Sequence, residues 1–441
     1  MPVLCGLRGE IVMQVNAVTT GEQQSDAIQR LRSTGLKVGI LHAGGPAPGA
    51  NRVLAGAAKQ FLDRGVEVTG FLNGYEFIQD MDPFTIVPGK HYIAVTREII
   101  SRVLDMNSFY LQTSRANPGK NITRPADLTD PDKTRKLVNI LNVFEYLKIG
   151  AVISIGGDDT LKIANYLYEI ARLRRNGGGQ LFFRGDIVHV PKTIDNDYYG
   201  IPWTFGFFTA AESAGRSARG FYDDAKATNC YHVVELMGRR AGWYTAAASI
   251  FARGTKALIP EDYNDRDFIR IRDLAEELLE IVLRREKRGK TYGLFCVAEG
   301  LADKLPPEDK AGMELDRHGN PKLAEAKIGD NIARQLALLY REATGHEKSF
   351  KPQLVGYETR QNPPSLYDVL LTSQLGVGAF RLIEQGREAE MVTVGNNLEI
   401  DGIPFGQLIE PGTLRVRNRC IDIHGDFYTL LRSLEEYFTE G

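Results

Sequence analysis

The chain has 441 residues, 54 Lys plus Arg against 56 Asp plus Glu, a formal charge of −2 and 43% hydrophobic residues. That length and apolar content predict a large core shared by two or more domains, and the near-neutral charge gives no field for a nucleic acid or an anionic membrane surface. The longest apolar runs, such as Ala246 to Ala252, fall far short of the ~20 residues of a spanning helix, and Arg8 and Glu10 interrupt any signal-peptide pattern.

Residues 1–36 are polar, with a helical turn or two predicted over Asp26 to Leu31. From Lys37 onward the chain repeats one pattern of strand, glycine turn and helix. KVGILH (37–42) ends at Gly44-Gly45, Val66 to Leu72 follows, and Ala151 to Ile155 ends at Gly156-Gly157. Ile187 to Val190, His232 to Leu236 and Tyr292 to Val297 complete the β-rich runs. Between them, Leu161, Ala164, Leu167, Tyr168 and Ala171 recur at helical spacing until Gly177-Gly178-Gly179. Phe268, Ile271, Ala275, Leu278 and Val282 mark a second amphipathic helix that stops at Gly289. Apolar strands alternating with helices predict a doubly wound α/β protein with parallel sheets. The scattered Cys5, Cys230, Cys296 and Cys420 form no CxxC or metal spacing and read as reduced thiols of a cytoplasmic protein.

Two glycine turns between a strand and a helix are candidate phosphate cradles: Gly44 to Asn51 (GGPAPGAN) and Gly156 to Thr160 (GGDDT). Glycine lets the backbone approach an anion, and a following helix presents free N–H groups and the positive end of its dipole. Simple turn geometry explains either one alone, and neither matches GxGxxG or Walker A. In the second turn Asp158 is a candidate Mg²⁺ ligand, the cation that reconciles a carboxylate with a phosphate. Capping of the next helix by both aspartates accounts for the pair equally well. Pro191 to Asp197 (PKTIDND) then puts a cation, a hydroxyl and two carboxylates at the end of a strand. Phosphoryl transfer to an alcohol needs charge neutralisation, a metal and a carboxylate to take a proton.

PKTIDND and GGDDT together resemble the signature of the 6-phosphofructokinases. Further matches run in order: GGPAPGAN, Thr113-Ser114-Arg115, Met237-Gly238-Arg239, Ala298-Glu299-Gly300, Gly356 to Arg360 (GYETR), Pro364-Ser365 and Asp368, over roughly residues 37–385. The resemblance implies two Rossmann-like domains with the active site in the cleft between them. A phosphoryl-donor domain would span 37–206 with a returning segment near 360–395, and a sugar-phosphate domain 207–359 with 396–441. It implies Asp195 as the general base toward a sugar 1-hydroxyl, with Thr193 and Asp197 beside the transferring phosphoryl group. Gly44, Gly45, Gly157 and Asp158 would hold the donor and Mg²⁺, and Arg115 and Arg239 would steady the transferred phosphate. Met237, Gly238 and Glu299 match sugar contacts, and Arg360, Lys351 and Tyr357 match the 6-phosphate site, where a guanidinium can pair in two-pronged fashion. A homodimer or homotetramer is also implied.

The donor rests on two positions. ATP-using bacterial relatives carry glycine where Asp159 stands and tend to have glycine where Lys192 stands; the pyrophosphate-dependent branch resembles this chain in both. Asp159 adds bulk and charge where the α-phosphate of ATP would pass. Like unit charges ~4 Å apart repel by about 4 kcal/mol at an effective dielectric near 20, enough to set a donor preference. Lys192 would neutralise the two phosphates of pyrophosphate and stabilise the departing one. Short bacterial ATP enzymes have an arginine, offered across a subunit interface, where Cys230 aligns, which opens the site to another sugar phosphate such as sedoheptulose 7-phosphate. The expectation is Mg²⁺-dependent, reversible transfer from pyrophosphate to fructose 6-phosphate, the alternatives being ATP as donor or a different acceptor. A catalytically silent regulatory subunit is disfavoured by the intact Thr193, Asp195 and Asp197.

Overall fold

The computed structural model describes residues 23–177, 181–310 and 323–440. Cys5 and the Gly178-Gly179 part of the expected helix stop lie outside these residues. Five strands come first: β1 (Lys37–His42), β2 (Val68–Phe71), β3 (Tyr92–Val95), β4 (Ile149–Gly156) and β5 (Ile187–Pro191). A second group follows, β6 (Tyr231–Leu236), β7 (Lys256–Leu258), β8 (Gly293–Ala298) and β9 (Phe350–Val355). The chain then returns with β10 (Glu390–Val394) and β11 (Ile400–Pro404). The first sheet runs β11-β10-β5-β4-β1-β2-β3 and the second β7-β8-β6-β9. All pairs are parallel except the edge pairs β2–β3 and β10–β11. This is the expected doubly wound α/β architecture with two parallel sheets. Strands β4, β5, β6 and β8 are buried along their whole length, so their sequences are largely apolar without polar alternation.

The missed strands are edge strands or their neighbours. In β9, Pro352 pairs in register with Val233 and every second residue is more exposed. An edge strand tolerates a proline because its outer side needs no N–H donor. The expected helix from Phe268 begins only at Ile271 and runs to Lys287. The Asp273 carboxylate accepts the Arg270 N–H at 3.3 Å and caps the helix there, leaving Phe268 outside it and 54% exposed. The turn or two near Asp26 is a helix of 11 residues, Gln23–Ser33, that buries Ile28 and Leu31. The apolar run at Ala246 belongs to the buried helix Trp243–Ala252, and no described helix is long and apolar enough to cross a membrane.

Two long-range contacts set the frame of the cleft. Helix Leu366–Glu384 packs against helix Ala50–Asp63 so closely that a Cβ on Gly376 would lie 2.6 Å from the Val53 carbonyl oxygen. Asp368, fully buried in the first turn of that later helix, caps a different helix, Phe207–Thr228. It accepts the N–H groups of Gly206 and Thr209 at 2.8 Å each and the Thr209 hydroxyl. Asp368→Ala leaves these buried donors without a partner and is expected to cost roughly 2–4 kcal/mol, read by urea unfolding. A loss below about 1 kcal/mol, the worth of an ordinary hydrogen bond, would remove Asp368 from this role.

Candidate active site

The strand order reverses between β1 and β4, because β1 pairs with β2 on one side and β4 on the other. Open α/β sheets bind ligands at such a switch point, outside the carboxyl ends of the strands. Both glycine turns lie there. Gly44 has φ +82°, and a Cβ on it would sit 3.8 Å from both the Gly157 nitrogen and the Lys192 Nζ, so the turns and the lysine converge. Gly156 has no room for a side chain, since its Cβ would lie 2.3 Å from the Thr160 hydroxyl. Asp158 and Asp159 open the helix Asp158–Asn176 behind Gly157, a cap position with no side-chain bond. Asp158 Oδ1 accepts the Asp159 N–H at 2.9 Å, its Oδ2 pairs with Arg240 at 2.5 Å, and Asp159 pairs with Lys162 at 3.0 Å.

Lys192 follows β5. Its N–H donates to the Gly156 carbonyl at 2.9 Å and its ammonium to the Gly45 carbonyl. The side chain is 2% exposed, and burial, with Arg360 and Arg115 adding repulsion, pushes its pKa down to about 7. An ammonium held at such cost is poised for an incoming anion. The next residues form the turn that carries Asp195 and Asp197. The Thr193 hydroxyl accepts the Asp195 N–H at 3.0 Å, and Asn196, at φ +54°, accepts the Thr204 N–H at 2.9 Å. Burial raises the Asp195 carboxyl above the usual range, against the pull of Arg360 and Arg239. Asp197 is raised by burial and by the charges of Asp195 and Asp158.

The second sheet closes the cleft from the other side. Met237 and Arg239 follow β6, Glu299 follows β8, and Tyr357 and Arg360 follow β9. Glu299 accepts the Gly238 N–H at 3.2 Å, and burial, then the Asp195 charge, pushes it up to about 7. Arg360 reaches back across the cleft, with Nη1 3.2 Å from where a Gly45 Cβ would stand. Every site residue expected from the sequence lines this one cleft of about 480 Å³ except Gly238 and Lys351. Gly238 stands behind the cleft wall, its N–H bonded to Glu299. Lys351 lies apart, with its ammonium 3.2 Å from Asp224 and 3.5 Å from the Thr228 hydroxyl. Cys230 is buried in that corner, its sulfur 3.1 Å from the same hydroxyl. Asp224, Cys230 and His232 have ligand atoms within 4.8 Å of one another, and the Lys351 ammonium is the cation beside them.

Sequence reasoning passed over several cleft residues, Tyr198, Arg240 and Glu325 among them, and Arg240 pairs with an expected site residue. The only sequence signal for Arg240 is the doubled arginine Arg239-Arg240, and its pairing with Asp158 spans 82 positions. No histidine or cysteine is among the described residues that line the cleft. Carboxylates that raise one another's pKa and all-oxygen donors suit a hard divalent cation and not zinc.

Two glycine turns at a switch point, a buried lysine, facing arginines and a carboxylate of raised pKa together form a cleft suited to phosphoryl transfer. The family model described as phosphofructokinase matches residues 37–383, and the chain belongs to the phosphofructokinase family. The chain is 29% identical to a pyrophosphate–fructose 6-phosphate 1-phosphotransferase of Thermotoga maritima, over 90% of this chain and 89% of that protein. It is 30% identical to an ATP-dependent 6-phosphofructokinase of Spirochaeta thermophila, over 84% and 90%. A crystal structure of a pyrophosphate-dependent phosphofructokinase from Nitrosospira multiformis superposes with a TM-score of 0.63 at 18% identity, covering 92% of both chains.

Proposed function

We propose that this enzyme transfers a phosphoryl group from pyrophosphate to the 1-hydroxyl of fructose 6-phosphate, reversibly, giving fructose 1,6-bisphosphate and phosphate. Asp195 takes the hydroxyl proton as the oxygen attacks; a carboxyl raised by burial is better matched to this work near neutral pH than an ordinary one. Thr193 and Asp197 flank the transferring group, Arg115 and Arg239 steady its oxygens, and Lys192 neutralises the departing phosphate. Asp158 would hold Mg²⁺, which supplies charge neutralisation on the pyrophosphate oxygens. For that, Asp158 must exchange its bond to Arg240, which then is free to face a phosphate. Met237, Glu299, Tyr357 and Arg360 receive the sugar phosphate.

The observation that carries the donor assignment is Asp159, a carboxylate in the cleft wall at the opening of the phosphate-binding helix, with Lys192 held above the facing turn. The test is a coupled assay with pyrophosphate and ATP side by side. Pyrophosphate should be the better donor by a factor of about 100 or more in kcat/KM, because the Asp159 side chain fills space that the α-phosphate of ATP would need. Robust turnover with ATP and none with pyrophosphate would overturn the assignment. The same assay compares fructose 6-phosphate with sedoheptulose 7-phosphate, an acceptor that Lys351 and Cys230 leave open by lying outside the cleft.

A further inference from the structure

The catalytic turn is held by a part of the chain that lies beyond the family-matched residues 37–383. After β11 the chain turns back on itself, with bridges Ile409–Val416 and Tyr198–Asn418, and runs along the outside of the turn that carries Asp195. The Arg419 N–H donates to the Asp197 carbonyl at 2.7 Å, and its Nη2 donates to the Asn196 carbonyl at 3.2 Å. These are the two peptide groups that follow Asp195. Asn196, whose carbonyl is the first of them, is left-handed at φ +54°, so the turn bends sharply just where Arg419 holds it.

The same residue is locked on its other sides. The Arg419 guanidinium lies 4.6 Å from the Trp243 ring and 5.9 Å from that of Trp203, and the Trp243 indole N–H donates to the Arg419 carbonyl at 3.1 Å. One residue earlier, Asn418 accepts from Arg240 at 3.3 Å, through the nitrogen that also pairs with Asp158. Two residues later, the Ile421 N–H donates to Glu261 at 2.9 Å, and Glu261 also accepts the Gly242 N–H. The segment therefore joins the turn after β5 to the turn after β6, one from each sheet and each from its own wall of the cleft.

We propose that Asn418–Ile421 is a positioning strap for phosphoryl transfer. Arg419 sets the orientation of the Asp195–Asp197 turn and Asn418 sets the position of Arg240. Neither lines the cleft, so both act through the residues they hold. The inference rests on the reading of Asp195 as the base, not on the identity of the donor.

The test compares the full-length wild type with Arg419→Ala, Arg419→Lys and Asn418→Ala. Displacing a reacting group by ~1 Å costs up to about 100-fold, so Arg419→Ala is expected to lower kcat by about 10-fold or more while both KM values stay within about twofold. Arg419→Lys should recover part of the loss, because an ammonium can reach one of the two carbonyls. Asn418 is exposed, and its alanine variant should keep the wild-type melting temperature yet lose several-fold in kcat. Turnover within twofold of wild type in both alanine variants, or a loss confined to KM, would overturn the proposal. If Arg419→Ala does not fold, Asn418→Ala decides by the same readings. A wild type that prefers ATP would refute the donor assignment, and the strap would then be read from the same variants with ATP.

Discussion

Asp195→Asn is expected to lower kcat by about 10³-fold or more, with KM for both substrates changing little. Asparagine keeps the size of the side chain and leaves the backbone bond from position 195 to the Thr193 hydroxyl in place. What disappears is the proton acceptor, and no neighbour can replace it. Asp197 is next in the turn but faces the charges of Asp158 and Arg240, and Glu299 is held by the Gly238 N–H. Removing the charge at 195 also relieves repulsion on Asp197 and Glu299, both of which it pushes upward. The variant should therefore melt no lower than wild type, and isothermal binding of fructose 6-phosphate should persist. Near-normal turnover would take the base role from Asp195. A collapse in melting temperature would make its role structural.

The second large effect is on the donor. Asp159→Gly combined with Lys192→Gly is expected to reduce kcat/KM for pyrophosphate by about 10²- to 10³-fold, the cost of losing one charged contact to a developing anion in a closed site. Lys192 dominates this loss. It is the buried cation between the two glycine turns, and without it the Gly45 carbonyl faces the donor alone. Asp159 is a third exposed and shares its charge with Lys162, so its removal acts more through the space it opens than through its field. The ratio of ATP to pyrophosphate use should rise in the double variant. An unchanged ratio would show that donor choice is set elsewhere.

Much of the site was legible because it is local. A buried strand followed by glycines and a helix start needs only adjacent residues, and β1 with Gly44, β4 with Gly156 and β5 with Lys192 all follow that rule. The turn that carries Asp195 was legible for the same reason, since its cation, hydroxyl and carboxylates all fall within Pro191 to Asp197. Strand β9 was not, because an edge strand with a proline and one exposed side carries little of the pattern of a buried one. Lys351, on that strand, aligned with the 6-phosphate site, yet its side chain turns to Asp224 instead of the cleft. Arg419 gave no readable signal, and Arg240 only that of standing next to Arg239. Arg240 finds Asp158 at a separation of 82 residues, and Arg419 finds the Asn196 carbonyl at 223.

By itself the sequence determined the α/β alternation, the two glycine turns and the carboxylates clustered at Asp195, because strand burial, turn geometry and helix starts follow from near neighbours in the chain. Only the tertiary structure decided that the two sheets face each other, that Arg240 meets Asp158, and that the C-terminal segment braces the catalytic turn. Those contacts depend on how packed layers bring distant residues together, and no local pattern in the chain encodes them.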